Sequence, residues 1–370
     1  MRKLLARLGC AFLITLTIAG TVTVFGVEYL PNKINITWKF AVYAYPYFEA
    51  KPIAAFPPQY VNVIKHDKGD GWILISTYFG DAWTNIIRPL YGRTVILDAG
   101  HGLGSDNVFM GYSEQATMLR LALKIQPLLE EQGATVFLTR ETYANVTLPV
   151  RAAKINLLAL DALHQQALDD EIKEIDALIA IMQRIVNNYS KYAPTYFNFP
   201  FDWSFQRQIH PDLQRIFELQ ANPEIQRNFL MISLHSNAAR APVNPEINGA
   251  DVYRMTNDLV NSRNYFANYT SVEETYLFAN ILLDKIQELG INRREVKPGN
   301  WFVIREHNLP GILIENGFHT NPSDRALLSS DYFLQSLAAA YRDAIMRYFK
   351  YIEQKTEAVL STANPDYKHR

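Results

Sequence analysis

The chain has 370 residues, a formal net charge of −1, 48% hydrophobic residues and a single cysteine, Cys10. That length suits one large or two unequal domains, and the apolar content is ample for a core. The balanced charge argues against a basic nucleic-acid-binding face. One cysteine excludes a disulfide framework and a Cys-based zinc site, so any metal has to be held by His, Asp and Glu.

At the N-terminus, Arg2, Lys3 and Arg7 precede an uncharged run from Leu8 to Val27. This pattern predicts an apolar helix over residues 1–27 that acts as an export signal or a single membrane anchor. Either way the body is expected outside the cytoplasm, with membrane contact only through that helix. Residues 34–88 read as a small β-rich domain. Phe40–Tyr45, Tyr60–Ile64 and Trp72–Tyr78 are strand-like, and Pro57-Pro58 and the polar turn from Lys65 to Gly71 separate them. The order of these runs resembles a bacterial SH3-like module, a small barrel that would imply wall binding. A β-rich spacer is the alternative.

Thr94 to Leu97 is a buried strand leading into Asp98-Ala99-Gly100-His101-Gly102. The flanking glycines allow a sharp turn and the close approach of another group. Glu114 opens an amphipathic helix carrying Leu119, Leu121, Leu123, Ile125, Leu128 and Leu129; Gly133 stops it, and a strand follows up to Arg140. This βαβ rhythm predicts a sheet flanked by helices. A helix starts at Thr147, and a long insert at 157–227 follows it. Within the insert, Leu168, Ile172, Ile175, Ile179, Met182 and Val186 form one helical face, and Tyr192–Phe205 is an aromatic loop. The strand Phe229–Leu234 then ends in His235. Gly249–Arg254, Trp301–Arg305 and Pro310–Phe318 are further expected strands, the last carrying Glu315. Between them a helix spans Tyr276–Ile286; a closing helix covers Tyr332–Tyr351, and residues 355–370 form a polar tail.

His101, His235 and Glu315 thus lie at the ends of three strands, where open α/β sheets gather ligands. Two histidines and Glu114 offer an N,N,O set of the kind a catalytic zinc uses while leaving a position for water. Glu315 is then placed to take the water's proton and return it to a leaving amine. On position alone, each histidine could equally be a hydrogen-bonded core residue.

The runs VILDAGHG, FLTRETYANVTLPVRAAKIN, FLMISLHSNAA, GADVY and PGILIENGFHTNPSDRALL, in this order with the Glu114 segment, resemble the zinc-dependent N-acetylmuramoyl-L-alanine amidases. The resemblance covers residues 93–350 apart from the insert. It implies an α/β fold with a twisted, mostly parallel sheet flanked by helices, here preceded by the small β-barrel-like domain and the N-terminal apolar helix. It further implies Zn²⁺ on His101, Glu114 and His235, Glu315 as the catalytic glutamate, and cleavage of the lactyl–L-alanine amide of peptidoglycan. Arg140 and Arg151 occupy the family's arginine positions, as structural groups or stem-peptide contacts, and Asn237 joins them as a candidate substrate contact. The chain departs from the family in the loop GLGSDNVFMG, at Gln115 and at Asn316. A catalytically inactive peptidoglycan-binding protein and a zinc hydrolase of another wall amide are the competing expectations. The acids Asp169, Asp170, Glu171 and Glu174 also suggest that the 157–227 insert gates the site until a regulatory protein moves it.

Overall fold

The computed structural model describes residues 88–105, 107–197, 208–239, 244–259 and 265–363, with strand segments between 15 and 85. It divides into two compact units, residues 1–91 with 131–133, and the remainder.

The first unit is all β. Its strands are β1 (Thr15–Leu16), β2 (Val22–Val24), β3 (Val27–Leu30), β4 (Lys33–Ile36), β5 (Phe40–Val42), β6 (Ala54–Phe56), β7 (Gln59–His66), β8 (Trp72–Thr77) and β9 (Gly80–Asn85). An antiparallel sheet runs β1-β2-β3-β4-β7-β8-β9, while β5 and β6 pair as a separate ribbon. Val42, Val61, Ile73, Ile75 and Ala82 form its core. The run expected as an apolar helix over residues 1–27 instead contributes β1, β2 and part of β3, where β-branched Thr and Val favour the extended backbone. The rest of that run lies outside the described residues. Among the described residues, no helix is long and apolar enough to cross a membrane.

The second unit is α/β. In chain order it contains β10 (Thr94–Ala99), the ribbon β11 (Val108–Phe109) and β12 (Tyr112–Ser113), α1 (Glu114–Glu131), β13 (Thr135–Leu138), α2 (Leu148–His164), α3 (Asp169–Asn187), α4 (Tyr189–Tyr196), α5 (Pro211–Gln220) and α6 (Pro223–Asn228). There follow β14 (Phe229–Asn237), β15 (Ala250–Arg254), α7 (Val272–Gln287), β16 (Arg293–Pro298), α8 (Phe302–Arg305), β17 (Gly311–Phe318), α9 (Pro322–Ser329) and α10 (Asp331–Ala363). The six-stranded sheet has the order β13-β10-β14-β17-β15-β16, with every pair parallel except β17 with β15. A mostly parallel, helix-flanked sheet is therefore the observed architecture.

Register and the two-residue alternation of strands sort the side chains by face. Ile96, Met231 and Leu313 pack with residues of α2 to α5 in one continuous core. Two residues farther along, the same face carries Asp98, Ser233 and Glu315, and His235 follows. Asp98 pairs in register with Ser233, and His235 with Glu315. One face of each strand thus changes from apolar to ionisable as it nears its carboxyl end.

Three expectations are corrected here. Trp301–Arg305 is not a strand: Phe302, Val303, Ile304 and Arg305 form the short helix α8 and are all buried, and an apolar run without alternation fits either state. The strand actually present is β16, a charged edge segment whose side chains are largely open to solvent. The closing helix continues past Tyr351 to Ala363, through good helix formers that include no Gly or Pro, and Lys355 pairs with Glu274 of α7; only residues 364–370 of the expected tail lie outside the described residues.

Candidate metal centre

β10 ends at Ala99, and the chain then turns at His101, whose φ of 61° is left-handed, a costly conformation for a residue with a Cβ. Gly100 lets the two histidines meet: a Cβ there would sit 2.6 Å from both ring nitrogens of His235. The close approach that the flanking glycines foretold is therefore His235 over Gly100, and the His101 and His235 rings lie edge to face, 5.0 Å apart. The loop beyond His101 closes through the β11–β12 hairpin. Its turn residues Met110 and Gly111 both have positive φ, as a two-residue turn of this hand requires, and the hairpin delivers Glu114 as the first residue of α1.

Glu114 bridges the two histidines. Its Oε2 lies 3.1 Å from His101 Nε2 and its Oε1 3.0 Å from His235 Nδ1. Asn107 Nδ2 donates to Oε2 at 2.6 Å, and the Ser236 backbone N–H donates to Oε1 at 3.0 Å. Burial pushes the Glu114 carboxyl up, but the hydrogen bonds and charges of His101 and His235 outweigh it and hold the group well below the ordinary range. Burial likewise lowers His101, yet its hydrogen bond to Glu114 leaves it raised. His101 Nδ1 is 2.5 Å from the Ser105 carbonyl, a contact that orients the ring and turns Nε2 toward Glu114. One donor atom from each of His101, Glu114 and His235 lies within 4.8 Å of the others. An ionised carboxylate set between two imidazole nitrogens, with its outer hydrogen bonds already made, suits a divalent cation, and the N,N,O donor set fits zinc.

Glu315 stands beside this cluster, in register between His235 of β14 and Asp251 of β15. Its Oε2 is enclosed without a hydrogen-bond partner among the described residues. Burial, then the negative charges of Glu114 and Asp251, push its carboxyl well above the usual range. Asp251 is itself neutralised by Arg294 at 2.9 Å and Lys297 at 2.8 Å. Asn316, at a position where the chain departs from the family pattern, is buried and structural: its Nδ2 donates to the His235 carbonyl and its Oδ1 accepts from Tyr341 of α10.

The two arginines brace the loop that presents His101. Arg140 donates to the carbonyls of Ala99, Gly100, Gln115 and Thr142. Arg151 pairs with Asp98 at 2.8 Å and also donates to the carbonyls of Val146, Ala99 and His101. Both guanidiniums are buried and committed to protein oxygens. Asn237 lies at the end of β14 beyond a register shift, and its Oδ1 accepts from the Ala238 N–H.

Sequence reasoning missed Asn107 and the role of Asp98. Asp98 accepts from Thr139 at 2.5 Å, Ser233 at 2.6 Å and Arg151, and although burial opposes ionisation, the Arg151 charge and these bonds hold its carboxyl down at about 2. Its place beside the HG turn was the available signal; its partners are too distant in sequence to read.

A cavity of about 320 Å³ opens beside His101 and His235. Asn145 to Thr147, ahead of α2, Leu148 at its start and Tyr189 of α4 are among the residues that line it. The acids expected to gate the site are not there: Asp169, Glu171 and Glu174 are exposed, Glu174 is paired with Arg215 at 2.9 Å, and the side chain of Asp170 lies outside the described residues. The helical face of the insert is also rotated from its expected position. Ile175, Leu178, Met182 and Ile185 are buried, whereas Leu168 is 73% exposed. Of the aromatic loop, residues 198–205 lie outside the described residues.

The family model for N-acetylmuramoyl-L-alanine amidase (Amidase_3) matches residues 95–164 and 209–347, more than half of the chain, and leaves out residues 165–208. An uncharacterized cell wall amidase of Bacillus anthracis is 24% identical over 351 residues, 89% of this chain and 51% of that protein. The germination-specific N-acetylmuramoyl-L-alanine amidase of Bacillus subtilis is 23% identical over 271 residues, 73% of this chain and 85% of that protein. The chain therefore spans about half the length of the first relative and most of the second. Among solved structures, the N-acetylmuramyl-L-alanine amidase Ami1 of Mycobacterium smegmatis aligns with a TM-score of 0.45 at 16% identity, covering 71% of this chain and 99% of Ami1. By the extent of the family match, this chain belongs to the N-acetylmuramoyl-L-alanine amidase (Amidase_3) family.

Proposed function

We propose that this chain is a zinc-dependent peptidoglycan hydrolase that cleaves the amide between the lactyl group of N-acetylmuramic acid and L-alanine, outside the cytoplasm at the cell wall. The observation that carries the reading is Glu315: a carboxyl with an enclosed, unpartnered oxygen, held in register beside His235 at the edge of a His–Glu–His cluster. A carboxylate left without partners is costly unless it acts, whereas the neighbouring acids Glu114, Asp251 and Asp98 are all paired.

His101, Glu114 and His235 would hold the zinc ion. Zinc bound there lowers the pKa of water and polarises the amide carbonyl. Glu315 accepts the proton of the attacking water and returns it to the nitrogen as the C–N bond breaks, yielding a free lactyl carboxylate and a free alanine amine. In the metal-free protein, burial and then the charges of Glu114 and Asp251 raise the proton affinity of Glu315. Asn107, Ser236 and Ser105 orient the ligands, and Arg140 and Arg151 hold the strand-end loop that carries His101. The β-rich segment at residues 34–88 is read as an SH3-like positioning module, with a β-rich spacer as the alternative.

The test is product analysis. Purified protein loaded with zinc is incubated with sacculi, and the soluble products are identified by mass spectrometry. Stem peptides with free N-terminal alanine are expected, with chelation stopping their release and added zinc restoring it. New reducing sugar ends, cuts between peptide residues, or sacculus binding without turnover would each overturn the reading.

A further inference from the structure

Three buried polar side chains from three segments meet beside the ligand cluster: Tyr112, Ser236 and His319, none more than 4% exposed. Tyr112 lies in β12, two residues before Glu114; Ser236 directly follows His235; His319 comes four residues after Glu315. The Tyr112 hydroxyl donates to Ser236 Oγ at 2.9 Å, and the same oxygen is hydrogen-bonded to His319 Nδ1 at 3.1 Å. The Tyr112 and His319 rings stack, with centroids 5.1 Å apart and planes 15° from parallel.

A bulge brings the three together. From His235 to Asn237 β14 advances two residues, while its partner β17 advances three, from Glu315 to Phe318. Gly317 takes up the extra residue with φ at 136°, and a Cβ there would press on the Asp324 carboxylate at 3.2 Å. Asp324 in turn accepts from the Phe318 N–H at 2.8 Å. Past the bulge, the His319 N–H donates to the Asn237 carbonyl at 2.8 Å, and Thr320 Oγ1 accepts from the Ala239 N–H at 3.0 Å. Bulges beside active sites re-aim side chains, and this one sets His319 against Ser236.

Ser236 also holds the ligand itself. Its backbone N–H donates to Glu114 Oε1, the oxygen that faces His235 Nδ1. Glu114 is therefore gripped twice, through the hairpin strand that carries Tyr112 and through the N–H of Ser236. Filling the space does not require this arrangement, because apolar side chains of the same shape would avoid the cost of desolvating three polar groups. Apolar contact is non-directional, whereas a hydrogen bond fixes both distance and angle.

Resting on the reading that His101, Glu114 and His235 hold a divalent metal, we infer that Tyr112, Ser236 and His319 are positioning residues. They hold the Glu114 carboxylate against His235 and tie the strand of Glu315 to the same point.

The experiment measures metal affinity and metal geometry in the full chain. Zn²⁺ affinity is read by competition with a chromophoric chelator, and geometry from the visible spectrum of the Co²⁺-loaded protein. His319→Phe keeps a ring to stack on Tyr112 and removes Nδ1. His319→Asn removes the ring and keeps a hydrogen-bonding atom near the place of Nδ1, and Tyr112→Phe deletes one hydroxyl. His319→Phe and Tyr112→Phe should each weaken Zn²⁺ binding about 10–100-fold and shift the Co²⁺ bands, with the melting temperature of the metal-free protein little changed. His319→Asn should bind far more tightly than His319→Phe. Tyr112→Phe changes a single atom, so it reports on the hydrogen bonds even if a His319 variant folds poorly. Wild-type affinity and spectrum in His319→Phe or in Tyr112→Phe would overturn the inference, as would weaker binding in His319→Asn than in His319→Phe, which marks a packing role. A wild-type chain that takes up neither ion would overturn the assignment of the metal site and this inference with it. Metal-binding variants that match the wild type overturn the positioning role alone.

Discussion

The ends of β10 and β17 place a carboxyl on the same face of one sheet, and treat it in opposite ways. Asp98 is wrapped by Arg151, Ser233 and Thr139 and held down at about 2. Glu315, two strands away, keeps an enclosed oxygen without a partner and is pushed well above the carboxylate range. The difference shows where the sheet invests its hydrogen bonds: in the acid that fixes the His101 loop, and not in the acid assigned to proton transfer. Stability and chemistry are thereby separated onto strands that flank β14, and substitutions should pull them apart.

The largest effect is expected at the cluster between these strands. His235→Ala removes one of three ligand donors, so bound zinc, measured by atomic emission on dialysed protein, should fall from about one per chain to near zero, with amide cleavage undetectable. Full zinc occupancy in that variant would place the metal elsewhere. On the structural side, Arg151→Met leaves Asp98 as a buried unpaired charge, with an expected loss of about 3–5 kcal/mol in denaturant unfolding. The double variant Asp98→Asn/Arg151→Met should recover a substantial part of that loss, and strict additivity would show that the pair is not coupled.

The pH dependence should differ in sign between the two acids. Asp98 is depressed from 3.8 to about 2, so its contribution, on the order of 2 kcal/mol, is present above pH 3.8 and lost as pH falls through about 2. Glu315 is raised above 4.5, so in metal-free protein its contribution is present below pH 4.5 and lost as pH rises through its folded value. Stability curves of the chelated protein should therefore lose their acid slope below pH 3.8 in Asp98→Asn, and their decline above pH 4.5 in Glu315→Gln. A smaller effect is expected at Gly100→Ala, whose Cβ would press on the His235 ring: zinc affinity should drop about 10–100-fold for roughly 1–3 kcal/mol of stability. Unchanged affinity would mean that the ring moves aside freely.

The same contrast explains how much could be read from sequence. His101, Glu114, His235 and Glu315 were legible because each sits at a strand end or helix start marked by its own local pattern. Asp98 was visible as a residue but not as a hub, since its partners Thr139, Arg151 and Ser233 come from β10's neighbours and α2, up to 135 residues away. β16 was hidden because an edge strand with charged residues has no apolar alternation to detect. In α3 the neighbouring pair Leu178 and Ile179 allowed either of two stripes, and packing against α2 chose the one through Leu178. Tyr189 could not be singled out at all, because it follows a helix break and lines a cavity built mostly by other segments.

The central assignment is tested most directly by measuring kcat and melting temperature together for Glu315→Gln, with Asp98→Asn as its counterpart. Glu315→Gln should lower kcat by about 10²–10⁴-fold while leaving the melting temperature unchanged or higher, because it removes an uncompensated buried acid. Asp98→Asn should show a clear fall in melting temperature. A Glu315→Gln enzyme that retains its rate, or that melts as early as Asp98→Asn, would contradict the assignment of Glu315 to chemistry and Asp98 to structure.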